Sequence, residues 1–241
     1  MKLTKFANLI NSGETFKDKC AILNFFFDGT LKESVSINNE FGKFYFPIGY
    51  NPWQSSTKSR PELFKEFDIE KGTFVDVGAM IGKYSLMVSA NPKVTVVSIE
   101  PAPDNFDVLD KNIVLNNREN ITTLNVALSN ADSTETFYLN KKHGSNSLIS
   151  KTDHPIQVPC FMLDTLAQYH KMKDINLVKI DVEGAEVEVV EGCKKLIEKH
   201  SPKFIIEVSS SENLKKILKL LKGYDYYNIS GKDYCFIKRN K

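Results

Sequence analysis

The chain has 241 residues, of which 41% are hydrophobic and 26% charged, and its 32 Lys and Arg nearly balance its 30 Asp and Glu, for a net charge of +2. This composition is typical of a globular domain with a sizeable core, and the small net charge argues against a dedicated nucleic-acid binder. No apolar run approaches the about 20 residues that span a bilayer, so an integral membrane protein is excluded. The first residues lack the apolar region of a secretory signal peptide.

The four cysteines, Cys20, Cys160, Cys193 and Cys235, are far apart and form no CxxC pair. Such spacing indicates neither a disulfide framework nor a structural zinc site. We therefore expect reduced, mostly buried thiols and a cytoplasmic protein.

The character of the chain changes near residue 70. Within residues 1–70, apolar clusters precede two stretches in which Val35 and Ile37, then Phe44 and Phe46, alternate with polar residues. This alternation predicts a β-hairpin. We interpret residues 1–70 as a helix-and-hairpin extension of a domain that spans residues 71–241.

From residue 73 onward, short apolar strands alternate with helical patterns. The predicted core strands are TFVDV, KVTVVSIE, NITTLNVAL, NLVKIDV and KFIIEV, and GYDYYNI and DYCFIK form a closing hairpin. The alternation predicts an α/β protein with a mostly parallel sheet covered by helices on both faces. Residues 128–165 interrupt it as an insertion with two further strand-like stretches around the polar loop KKHGSNS.

The first candidate site is TFVDVGAMIG, a strand that runs through a glycine turn into a helix. Gly78 lets the backbone turn tightly and approach a ligand, and Asp76 lies at the strand end, where open α/β sheets bind ligands. Glu100 ends the next strand, where its carboxylate can accept both hydroxyls of a ribose. The order predicts a nucleotide-like ligand, although the G-x-x-x-G spacing makes a dinucleotide the weaker choice and a purely structural turn remains an alternative.

The second candidate site is VKIDVEGAE, at the end of the fourth core strand. Asp181 and Glu183 follow the strand closely, whereas Glu186 is explained by the preference of acidic residues for the first turn of a helix. Lys179 and Glu207 both fall inside apolar strands. They form either a buried ion pair with each other, if the strands are neighbours, or Glu207 belongs to the site.

Together these segments resemble FkbM-type methyltransferases. The resemblance covers approximately residues 60–210 and rests on DVGAMIGKYSL, VVSIEPAPDNF, NVALS, GSNSL, MLDTL, KIDVEGAE and PKFIIEV, in this order. It implies a seven-stranded class I, Rossmann-like methyltransferase fold with an antiparallel last strand, and S-adenosylmethionine as cofactor. The activity it implies is methyl transfer to a small-molecule or glycan acceptor.

The resemblance also implies which residues hold the cofactor. Asp76, Gly78 and Gly82 would line its methionine end, Glu100 would hold its ribose hydroxyls, and Asn125 to Ala127 would border its adenine. Ala79, Pro101 and Asp181 are further predicted cofactor contacts, and Asp181 is expected under the methyl group because the fourth strand should end beside the first. Met80 departs from the family, which usually has asparagine there. The serines after KFIIEV also depart from the usual acid-and-histidine ending, which weakens a metal proposal.

The function favoured by the sequence is O-methylation of a hydroxyl, on a sugar or glycoconjugate. Asp181 is the first candidate for the base, Glu183 and Glu207 could share its role, and His143 in the polar loop is the next. The same carboxylates could instead bind Mg²⁺, a hard cation that prefers oxygen ligands. The alternative function is a non-catalytic or NAD-type nucleotide-binding protein on the same fold.

Overall fold

The computed structural model describes residues 10–28, 31–52, 61–140 and 146–239. The helices are α1 (Phe16–Asp28), α2 (Pro61–Lys65), α3 (Lys83–Ser89), α4 (Pro103–Leu115), α5 (Leu163–Tyr169), α6 (Glu186–Glu191), α7 (Lys194–His200) and α8 (Ser211–Leu220). The strands are β1 (Val35–Asn39), β2 (Gly42–Phe46), β3 (Gly72–Val77), β4 (Val94–Ile99), β5 (Ile121–Leu124), β6 (Ala127–Leu128), β7 (Ser133–Tyr138), β8 (Pro155–Phe161), β9 (Ile175–Ile180), β10 (Lys203–Glu207), β11 (Tyr224–Ser230) and β12 (Asp233–Lys238).

The central sheet has seven strands in the order β11-β12-β10-β9-β3-β4-β5. The pairs within β10-β9-β3-β4-β5 are parallel, and β12 is antiparallel to both β10 and β11. The predicted α/β class, the mostly parallel sheet and the antiparallel last strand are therefore confirmed. Because the strand order reverses beside β3, the carboxyl ends of β3, β4 and β9 open into one crevice, the usual ligand site of such sheets.

One predicted strand is divided in the structure. The stretch NITTLNVAL forms β5 in the central sheet and then β6, which pairs with β8 in a separate sheet of order β6-β8-β7. The division falls at Asn125, whose side-chain amide donates to the backbone carbonyls of Glu100 and Pro101 at 2.8 and 3.2 Å. These bonds attach Asn125 to the chain that follows β4, and the next residues leave the central sheet.

The insertion predicted at residues 128–165 contributes β7 and β8, an antiparallel pair. Ser147 holds the insertion near the central sheet. Its backbone exchanges two hydrogen bonds with Tyr138, and its hydroxyl donates to the carbonyl of Glu183 at 2.7 Å. The insertion is thus tied to the loop that follows β9.

The N-terminal segment, described over residues 10–28 and 31–52, contains α1 and the β1-β2 hairpin, which pairs from Val35↔Phe46 to Asn39↔Gly42. Its apolar side chains form one cluster with Ile81, Leu109 and Ile113, from α4 and the turn that follows β3. Burial of this cluster holds the segment against α4 and the turn that follows β3. The boundary at residue 70 stays a prediction.

All four cysteines lie in the described part of the chain and are free thiols, with Cys20 exposed and the others buried. Among the described residues, no helix combines the length and apolar character that crossing a membrane would require.

Candidate active site

A cleft of about 620 Å³ lies at the carboxyl ends of β3, β4 and β9. Gly78, Glu100 and Asp181 each follow one of these strands and line its floor. The insertion provides a further wall through Phe137, Asn146 and Leu148, of which the first and last are apolar. The cleft thus combines carboxylates with an apolar wall, as small-molecule sites do.

Gly78 is needed for a contact that the sequence does not reveal. Its φ of +79° is in the left-handed region, and a Cβ there would lie 1.9 Å from the carbonyl oxygen of Asp181. The amides of Gly78 and Ala79 donate to the carbonyl of Ile99 at 2.9 and 3.0 Å. Gly78 lines the cleft, and its lack of a side chain allows close packing of two strand ends; its approach to a ligand stays a prediction.

Gly82 and Ala79 are placed behind this turn. Gly82 has a φ of +86° at the start of α3, and a Cβ there would lie 2.6 Å from Cδ1 of Leu109. Ala79 is buried. Neither is among the residues that line the cleft.

Asp76 lies beneath the cleft and is fully buried. The Ser85 hydroxyl donates to its Oδ2 at 2.6 Å, and the Ser98 hydroxyl donates to that of Ser85 at 2.7 Å. Its Oδ1 has no hydrogen-bond partner within the described part of the chain. Burial raises the pKa of Asp76, and Lys179 partly opposes the rise. Asp76 is therefore not one of the groups that line the cleft.

Glu100 lines the cleft floor, and both of its carboxylate oxygens accept hydrogen bonds. Oε2 accepts from the Met80 amide at 2.9 Å, and Oε1 accepts from the Ala102 amide at 3.1 Å and from the side chain of Asn105 at 3.2 Å. Burial raises the pKa of Glu100 to about 7, although these hydrogen bonds lower it. Such a held carboxylate suits recognition of a ligand that offers hydroxyl donors.

The remaining residues predicted to hold the cofactor divide between the cleft and its support. Pro101 and Ala127 line the cleft. Asn125 is not among the lining residues, and its amide supports the backbone of Glu100 and Pro101 instead.

Asp181 faces the cleft as half of an ion pair. Lys179 Nζ lies 3.0 Å from Asp181 Oδ2, and the Asp181 side chain remains 30% exposed. In the sheet, Lys179 is in register with Asp76 on one side and with Ile205 on the other. The ion-pair partner of the buried Lys179 is Asp181 and not Glu207, although β9 and β10 are neighbours.

Glu183 and Glu207 occupy different environments. Glu183 lines the cleft mouth and has a φ of +53°. Burial raises the pKa of Glu183, and the charge of Asp181 raises it further. Glu207 lies opposite Asp233 in the sheet and is not among the lining residues. His143 lies outside the described residues.

Glu186 is structural, as the helix-dipole interpretation implied. It is buried and accepts from the Gly184 amide at 2.8 Å and from Asn213 and Ser209 side chains at 3.0 and 3.1 Å. Among the residues that the structure describes, no group of three or more His, Cys, Asp or Glu has a metal-binding arrangement.

Sequence reasoning missed several lining residues, among them Asn105 and the apolar Phe137, Leu148 and Val182. The insertion strands carried no signal for which of their faces meets the cleft. Asn105, in the first turn of α4 after Pro103, was close enough in sequence to Glu100 to suggest a contact.

The sheet order, the antiparallel β12 and the crevice beside β3 define a class I, Rossmann-like methyltransferase fold. The crystal structure of Methyltransferase FkbM from Methylobacillus flagellatus KT is similar, with a TM-score of 0.54 at 16% identity, over 97% of this chain and 58% of that one. At this identity the likeness concerns the fold.

Sequence comparison supplies the family. The Methyltransferase FkbM domain matches residues 76–227, and the chain belongs to this family. Methyltransferase 1 of Beauveria bassiana is 30% identical over 192 residues, which cover 67% of this chain and 76% of that protein. The hexuronic acid methyltransferase AglP of Haloferax volcanii is 29% identical over 149 residues, or 61% of this chain and 59% of that protein.

Proposed function

We propose that the protein is an S-adenosylmethionine-dependent O-methyltransferase that acts on a hydroxyl of a sugar or glycoconjugate. The observation that carries the proposal is the shared cleft of Glu100 and Asp181, which follow strands on either side of β3 in a chain of the FkbM family. The name of the relative AglP favours a saccharide acceptor.

The residues of the cleft fit this cofactor chemically. Glu100 offers a carboxylate suited to ribose hydroxyls, and the apolar wall suits an adenine ring. S-adenosylmethionine is cationic at its sulfonium and amino groups, and the carboxylates of Asp181 and Glu183 on the same cleft complement this charge. Asp76 adds negative charge beneath the floor when it is ionised.

When bound, S-adenosylmethionine would supply an electrophilic methyl group, whose bond to sulfur would break as its bond to the acceptor oxygen forms, with S-adenosylhomocysteine as the leaving group. The protein must orient the acceptor oxygen and remove its proton as the new carbon–oxygen bond forms, because a neutral hydroxyl is a poor nucleophile. Asp181 is the base in this proposal: its ion pair with Lys179 uses Oδ2, so Oδ1 is the oxygen that takes the proton. Glu183, at the cleft mouth, would contact the acceptor.

Three earlier expectations remain predictions. His143 is the next candidate base, Mg²⁺ is an alternative use of the carboxylates, and the cytoplasm is the expected compartment. No observation favours the NAD-type binding protein as a second function.

Two experiments test the proposal. Calorimetric titration with S-adenosylhomocysteine and, separately, NAD should show micromolar binding of the first only. A methyl-transfer screen with S-adenosylmethionine over sugar nucleotides and glycans, uronic acids included, should then yield a product heavier by one methylene. Binding of NAD alone would contradict the cofactor, and methylation of nitrogen or carbon would contradict the O-methyl assignment.

A further inference from the structure

The N-terminal segment reaches the candidate cofactor carboxylate through a chain of two hydrogen bonds. The Tyr50 hydroxyl donates to Asn105 Oδ1 at 2.9 Å, and Asn105 Nδ2 donates to Glu100 Oε1 at 3.2 Å. All three residues are at most 4% exposed. Burial and neighbouring carboxylates raise the pKa of Tyr50, so its hydroxyl stays protonated and able to donate.

Asn105 belongs to a row of asparagines that runs along α4. Asn112 accepts from the Tyr45 amide at 2.7 Å and donates to the carbonyl of Ile81 at 3.0 Å. Asn116 exchanges two hydrogen bonds with the backbone of Lys43, at 2.8 and 2.7 Å. Spacings of seven and four residues place the row on one helix face. The row joins the N-terminal segment to α4 and to the turn that carries Met80.

The two ends of this arrangement meet at Glu100. One donor to its carboxylate is Asn105, held by Tyr50, and another is the amide of Met80, in the turn that Asn112 supports through Ile81. A side-chain amide can rotate, so it holds a carboxylate only if its own oxygen is also fixed. The Tyr50 hydroxyl provides that fixation.

We propose that Tyr50 is a positioning residue for the cofactor, which acts through Asn105 to hold the Glu100 carboxylate where it receives the ribose hydroxyls. The inference rests on the proposed function. It makes the N-terminal segment part of the cofactor site, in addition to any contribution to the acceptor pocket.

The test is S-adenosylhomocysteine binding to Tyr50→Phe, which removes only the hydroxyl, in the full chain. We expect affinity to fall about three- to tenfold, the range for one lost hydrogen bond. Tyr45→Phe is the matched control: the same segment loses the same atom, but that ring lies against Lys111, whose Nζ is 3.2 Å from the ring centre. The control should bind as the unchanged protein does.

A double-mutant cycle separates positioning from a general loss of packing. In a Glu100→Gln background, Tyr50→Phe should weaken binding by less than twofold, since the carboxylate it serves is gone. An equal loss in both backgrounds, or unchanged affinity of Tyr50→Phe alone, would overturn the inference while leaving the proposed function intact. Failure of the unchanged protein to bind S-adenosylhomocysteine would overturn the proposed function and this inference with it.

Discussion

Lys179 Nζ lies 3.0 Å from Asp181 Oδ2, and this ion pair joins a side chain that is 4% exposed to one that is 30% exposed. The ammonium group also lies 4.8 Å from the centre of the Tyr84 ring. Burial alone would lower the pKa of Lys179, but the charges of Asp181 and Asp76 outweigh it and raise that pKa. Lys179 therefore remains charged and fixes Asp181 at the floor of the cleft.

Replacement of Lys179 by Met should destabilise the protein. Asp76 and Asp181 would lose their common cation, and breaking a buried ion pair costs up to about 3–5 kcal/mol of unfolding free energy. Urea denaturation at pH 7 measures the change. Lys216→Met is the control, since its pair with Glu212 is exposed, and it should unfold as the unchanged protein does. Equal stability of Lys179→Met would show that the pair does not stabilise the fold.

Replacement of Asp181 by Asn should reduce turnover by about 10²–10⁴, the usual contribution of a general base. The amide keeps the size of the side chain but cannot take the proton. Turnover with a verified acceptor and circular dichroism of the variant measure activity and folding. Near-normal turnover would place the base elsewhere, with His143 next. Loss of activity with a chelator and its return with Mg²⁺ would show that the carboxylates bind metal.

Affinity for S-adenosylhomocysteine should rise with pH between 6 and 8. Burial raises the pKa of Glu100 to about 7, and ribose hydroxyls donate best to the ionised carboxylate. At pH 6 most Glu100 carboxyls carry a proton that must leave before the ligand binds, whereas at pH 8 most are ionised. The affinity at pH 8 should therefore be about tenfold higher than at pH 6. Calorimetry across this range measures it. Glu100→Gln should bind more weakly and without this dependence; a dependence that persists in the variant would assign the titration to another group.

Substitution of Gly78 by Ala should destabilise the protein far more than the same change at Gly231. Both glycines have positive φ, at +79° and +58°, so each substitution carries the about 1–2 kcal/mol cost of left-handed backbone. Only at Gly78 would the new Cβ meet a backbone atom, 1.9 Å away, whereas nothing lies within 4 Å at Gly231. Chemical unfolding of the two variants gives the comparison. Equal losses would mean that the Asp181 loop moves aside freely.

The local pattern of apolar and polar residues determined which segments became strands and helices, because burial of a strand on both faces demands a continuous apolar run. It placed the β1-β2 hairpin, the start of α4 at Pro103 and the two strand ends that carry Glu100 and Asp181. The antiparallel β12 followed from resemblance to a family, since periodicity does not encode strand direction.

The tertiary structure alone decided which polar groups meet. The sequence suggested Glu207 as the ion-pair partner of Lys179, whereas in the structure Lys179 lies opposite Asp76 and Ile205 and pairs with Asp181. Tyr50 and Asn105 bond across 55 positions of the chain. Such contacts depend on how whole elements pack, and packing is set by the sum of many apolar contacts rather than by the local sequence at either residue.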